Sequence, residues 1–125
     1  MTPGTWRRVR ALAAAVRKIS PGRGDRIALL CPGTMRSHHI RHAILAAGAE
    51  AVQVSPLMSV DEIMRLLVDS GAVVMLCHRD MITLGSQAAR MAGIRLFTIG
   101  PPSSAPGSDG RLEDLAEALA ATAKG

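Results

Sequence analysis

The sequence predicts an α/β fold, a single three-layer domain in which a four-stranded parallel sheet lies between helices. Four short apolar runs carry the prediction: RIALLC at 26–31, AVQV at 51–54, AVVMLC at 72–77 and IRLFTI at 94–99. Each has the continuous hydrophobicity of a strand buried on both faces. Between them, residues 35–47, 59–69 and 80–92 repeat apolar side chains at helical spacing. The resulting β-α-β-α-β-α-β alternation requires parallel strands joined by right-handed crossovers. The doubly wound class supplies the expected strand order 2-1-3-4.

Each element has its own justification. Residues 5–19 place Trp6, Val9, Ala13 and Val16 on one face of an opening helix, with Thr5 as its cap and SPGRGD at 20–25 as its stop. In 35–47, Ile40, Ala43, Ile44 and Ala47 form the stripe that packs on the sheet, and His38, Arg41, His42 and Leu45 lie opposite. Residues 59–69 align Val60, Ile63, Met64 and Leu67 behind Ser59, with Asp61 and Glu62 as ordinary first-turn acids. Residues 80–92 align Met81, Leu84, Ala88 and Met91. GPPSSAPGSDG at 100–110 has the composition of a linker, and Leu112, Leu115, Ala116 and Leu119 align on a last helix. The organisation expected is an α/β domain over 1–99, a linker over 100–110 and a C-terminal helix over 111–125.

A chain of 125 residues, 48% hydrophobic, supports one core. Trp6 and Phe97 are its only aromatics, so the interior is aliphatic. The apolar runs are too short to span a bilayer and the N-terminus has no apolar signal region, so a cytoplasmic protein without membrane partners is expected. Cys31 and Cys77 stand at strand ends and read as buried, reduced thiols. Residues 1–49 carry nine Lys and Arg against Asp25 alone, whereas 50–125 carry six against nine acids. No aromatics interleave the basic half and no nucleic-acid motif occurs, so nucleic acid is not expected as a partner.

Two stretches are candidate sites. In PGTMRSHHIRHAILAAG at 32–48, Arg36, His38, Arg41 and His42 are candidate contacts for an anion or an acidic partner, against the plainer reading of a solvated basic face. His38 and His42 lie one helical turn apart, but no third ligand stands at local spacing and no metal is expected. The turn CPGTMRS offers Gly33, Thr34 and Ser37 to a small ligand, a much weaker signal than a glycine-rich phosphate loop. A tight turn with Thr34 as helix cap is the simpler reading. No catalytic constellation and no cofactor-binding motif can be assembled from the chain.

Read in order, TWRRVRALAAAVR, GRGDRIALLCPGT, AILAAGAEAVQVSPLMSVDEIMRLLVDSGAVVML and LEDLAEAL resemble the start of the AMP-forming acyl- and aryl-CoA synthetases, the adenylate-forming superfamily. The resemblance spans residues 5–119 and is most specific from Ala43 to Leu76. It implies descent from a ligase whose ATP chemistry lies in later segments: a phosphate loop ending in Lys, an aromatic-Gly-x-Thr-Glu stretch, a ribose-binding Asp and a catalytic Lys. None of those residues maps onto a position here.

A freestanding, non-catalytic module with an accessory, assembly or regulatory role is therefore the expectation. The N-terminal half of a split ligase completed by a second chain is the alternative, and a small-molecule-binding α/β domain is the third reading. The partners expected are a second copy of the chain and a ligase or ligase fragment. The homodimer is expected through an open sheet edge at 94–99, with Ile94, Leu96, Phe97 and Ile99 as its contact strand.

Overall fold

A computed structural model describes residues 2–20, 22–32, 38–102 and 107–123. The elements are α1 (Pro3–Ile19), β1 (Arg26–Leu30), α2 (His38–Ala46), β2 (Glu50–Val54), α3 (Val60–Ser70), β3 (Val74–His78), a short 3-10 turn (Arg79–Met81), α4 (Ile82–Ala92), β4 (Arg95–Ile99) and α5 (Leu112–Ala123). The four strands are parallel in the order β2-β1-β3-β4, as expected.

Alternation along the strands divides the core into two layers. Ile27 and Leu29 of β1, Leu76 of β3, and Phe97 and Ile99 of β4 face α1, α2 and α5. Ala28, Leu30, Met75, Cys77 and Leu96 face α3 and α4. The central strand β3 is buried along its whole length, and β1 is buried after Arg26. The expectation of a strand buried on both faces fails for β2. Glu50 and Gln53 are exposed and only Val54 is fully buried, because β2 is an edge strand with a neighbour on one side.

Three further expectations are corrected. The side-chain cap of α1 is Thr2, whose Oγ1 accepts the Thr5 amide at 3.2 Å, because the helix begins at Pro3 and not at residue 5. Trp6 is 50% exposed. The buried face of α1 instead runs through Val9, Leu12, Ala13, Val16 and Ile19.

In α4 the buried residues are Ile82, Gly85, Ala88 and Ala89, and Met91 is exposed. The 3-10 turn delays the start of this helix to Ile82. Small residues then let it lie close on β3, with Gly85 against Cys77.

α3 opens as its sequence predicts. Ser59 Oγ accepts the Glu62 amide at 3.2 Å and the Glu62 carboxylate accepts the Ser59 amide at 3.1 Å.

The largest departure concerns residues 107–113, part of which the composition assigns to a linker. This segment lies alongside the outer edge of β4 and runs parallel to it. The Asp109 amide donates to the Leu96 carbonyl at 2.7 Å, and the Asp109 carboxylate accepts the Leu96 amide at 2.9 Å. The Thr98 amide donates to the Gly110 carbonyl at 2.8 Å, and Thr98 pairs with Arg111 in a parallel bridge. The Glu113 carboxylate accepts the Gly100 amide at 2.6 Å, while Arg111 Nε donates to the Gly100 carbonyl at 2.6 Å. The edge expected to be open is thus closed by the chain itself. Leu96, Phe97 and Ile99 are buried and Ile94 is half-buried, so they form no exposed contact strand.

Candidate functional site

In this topology the strand order reverses between β1 and β3, and the carboxyl ends of those strands form the crevice where α/β sheets place ligands. The residues that the sequence brings there are Cys31 and Pro32 after β1, and His78, Arg79 and Asp80 around the end of β3. Gly33, Thr34, Arg36 and Ser37, the expected turn and part of the expected anion contact, lie outside the described residues.

Sequence reading passed over His78, although CHRD directly after an apolar run was a usable signal. Its ring is buried, with Nδ1 accepting the Asp80 amide at 3.1 Å and lying 3.6 Å from the Asp80 carboxylate. A ring that accepts at Nδ1 carries its proton on Nε2 when neutral. Gly100 closes over the ring. It has φ of +91°, and a Cβ there would come within 2.8 Å of Cδ2 and Nε2. Arg79 donates to the Pro102 carbonyl at 3.0 Å and pairs with Asp80 at 3.4 Å. His78 caps the 3-10 turn, and Arg79 ties it to the segment after β4.

Both thiols near this crevice are buried, and burial disfavours their thiolate forms. Burial pushes the Cys31 thiol up to about 11 and the Cys77 thiol up to about 12, with Cys31 adding to the rise at Cys77. The two lie on opposite faces of the sheet, in different core layers, and remain free.

The expected α2 face is built as its spacing predicts. Ile40, Ala43 and Ile44 are buried, while His38, His39, Arg41, His42 and Leu45 are exposed. Among the described residues no carboxylate forms an ion pair with Arg41, and no group of three or more His, Cys, Asp or Glu is placed to hold a metal ion.

A groove of about 280 Å³ lies away from the crevice, between α1 and α5. Ala11, Ala116 and Ala120 line it together with Arg8, Glu113 and Glu117. The second oxygen of Glu113 is buried there without a hydrogen-bond partner among the described residues, 3.8 Å from Arg111 Nε.

This arrangement defines an α/β unit of the doubly wound class whose crevice holds a histidine-capped turn and two buried thiols. The sequence profile of the AMP-binding enzyme family matches residues 4–116, and the chain belongs to that family. Solved structures agree in fold. A benzoate CoA ligase from Burkholderia xenovorans LB400 is 24% identical with a TM-score of 0.74, over 89% of this chain and 22% of the ligase. The long-chain-fatty-acid-CoA ligase FadD1 from Archaeoglobus fulgidus is 16% identical with a TM-score of 0.77, over 91% and 22%. The anthranilate CoA ligase AuaEII, solved in complex with anthranoyl-AMP, is 17% identical with a TM-score of 0.76, also over 91% and 22%. The chain thus spans about a fifth of the length of these ligases. No protein of curated function matches it. Among the described residues no helix is long and apolar enough to cross a membrane.

Proposed function

We infer that the chain is a non-catalytic unit of the AMP-binding ligase fold, with an accessory, assembly or regulatory role. The observation that supports this most is the closure of β4 by Asp109, Gly110, Arg111 and Glu113, which covers that edge of the sheet with the chain's own backbone and side chains. The exposed α2 face points the same way. Burying Arg41, His38 and His42 under additional protein without partners would cost on the order of several kcal/mol.

ATP–pyrophosphate exchange with the purified chain tests this reading directly. Benzoate, anthranilate and a long-chain fatty acid, the acids named for the relatives, form the panel. Exchange at background with every acid is expected, and acid-dependent exchange above background would overturn it.

A second reading, the N-terminal half of a split ligase, draws on the unpaired outer edge of β2, where a second chain could continue the sheet. It requires exchange activity to arise on mixing the chain with the complementary part of a ligase.

A further inference from the structure

With β4 closed by residues 107–113, the outer edge of β2 is the sheet edge left without a backbone partner among the described residues. The Glu50 amide donates to the Asp25 carbonyl of the β1 side at 2.8 Å. Because backbone groups alternate along a strand, Glu50, Val52 and Val54 turn their amides and carbonyls toward β1, and Ala51 and Gln53 turn theirs outward. Neither outward residue has a backbone hydrogen-bond partner on that side among the described residues.

The usual protections of an edge are absent from EAVQV. It has no Lys, no Pro and no bulge, and its one charge, Glu50, is drawn onto Arg26 of β1 at 3.2 Å. Exposed apolar side chains stand just beyond its end, where Leu57 is 93% exposed, and on the preceding helix, where Leu45 is 62% exposed.

We propose that the β2 edge is a homodimer interface, in which a second copy of the chain adds its own β2 antiparallel across a two-fold axis at Val52. That register sets both outward-facing residues of the strand opposite each other, whereas an axis on Ala51 or on Gln53 matches one outward-facing residue of the strand in place of two. Ala51 faces Gln53 of the second copy, so the outward amide and carbonyl of each meet those of the other in two reciprocal pairs. A shift by one residue would set outward groups against groups already committed to β1. Glu50 faces Val54 of the second copy, so no carboxylates oppose each other. Val52 faces Val52 as a non-hydrogen-bonded pair, with Cα atoms about 4.5 Å apart. The result is one continuous eight-stranded sheet formed by a self-matching patch, as two-fold dimers require.

Light scattering after size exclusion, run on the full chain across micromolar concentrations, reads the state directly. Twice the chain mass is expected. Gln53→Pro removes an outward amide and leaves the backbone bonds to β1 in place, losing there only the bond from Gln53 Nε2 to the Leu29 carbonyl at 3.3 Å, and should return the chain to single mass while its thermal melt stays cooperative. Val52→Cys places two thiols at the axis within disulfide reach, and mild oxidation should give a covalent dimer. The wild type should give none, because Cys31 and Cys77 are buried.

A wild-type monomer throughout that range overturns the proposal. So does a dimer that Gln53→Pro leaves intact and Val52→Cys does not lock. Should Gln53→Pro fail to fold, the oxidation of Val52→Cys decides, and absence of the cross-link overturns the interface. None of these readouts depends on exchange activity, so this inference can fail while the functional reading stands, and the reverse.

Discussion

Gly85 of α4 lies against Cys77 of β3 so closely that a Cβ on the glycine would sit 2.6 Å from the cysteine Sγ and 3.4 Å from its Cβ. Gly85 has an ordinary helical backbone, so the glycine is there for space and not for conformation. Helix propensity alone would favour alanine by about 1 kcal/mol. Overpacking against a fully buried neighbour opposes that gain by about 1–3 kcal/mol. Gly85→Ala is therefore expected to lower stability in denaturant titration. Combined with Cys77→Ala, which removes the obstructing sulfur, it should become neutral or stabilising. A stabilising single substitution would show that the two elements are not in contact.

The thiols give the chain an alkaline limit. In the unfolded chain they ionise near pH 8.5 or about 9, whereas burial holds them protonated in the fold up to about 11 for Cys31 and about 12 for Cys77. Between those values the unfolded state binds fewer protons than the native one, so stability falls as pH rises. The contribution is whole below pH 8 and is lost progressively from pH 9 to 12. With no Tyr and only Lys18 and Lys124 as lysines, few other groups titrate in that window. Denaturation midpoints measured from pH 7 to 11 should fall for the wild type and fall less for Cys31→Ala with Cys77→Ala. Native protein should react slowly with a thiol reagent at pH 7.5, and rapid labelling would contradict the burial.

The α2 histidines are expected to be dispensable for folding. His38→Ala with His42→Ala should change stability by no more than about 1 kcal/mol in either direction, as for exposed positions. Calorimetry with zinc should show no stoichiometric binding by the wild type. Binding lost in the double variant would establish a metal site on this face.

Asp109 is a stronger structural residue than its place in a Pro/Gly/Ser-rich stretch suggests. Its carboxylate is the acceptor for the Leu96 amide, a half-buried bond. Asp109→Ala leaves that donor without its partner and is expected to cost about 1–3 kcal/mol. Thermal denaturation measures it, and a loss within a few tenths of a kcal/mol would mean that water replaces the carboxylate without penalty.

The contrast between α3 and residues 107–113 shows what was legible in the sequence. Ser59 and Glu62 form their capping box because both partners lie within one turn, and Ile63 and Leu67 are buried as their spacing indicates. Strand order followed from the class of alternation. What escaped depended on contacts between distant segments. Gly85, Ala88 and Ala89 form the seat of α4 by being small, whereas hydrophobic periodicity favours the larger Met81, Leu84 and Met91. Asp109, Gly110 and Glu113 act through backbone bonds to β4, and composition records only their turn chemistry. His78 works through a ring nitrogen and a covering glycine that are 22 residues apart along the chain. The burial pattern of α2 is legible because its amphipathic spacing is local.

Residues 107–113 finish the β4 side of the sheet as part of the fold. Amide hydrogen exchange of Leu96, Thr98 and Gly100, whose amides are held by Asp109, Gly110 and Glu113, tests it most directly. These amides are expected to exchange as slowly as those of the central strand at Leu76, through the same cooperative opening. Exchange of all three at the rate of an unprotected chain, with Leu76 still protected, would show an open β4 edge and contradict the account.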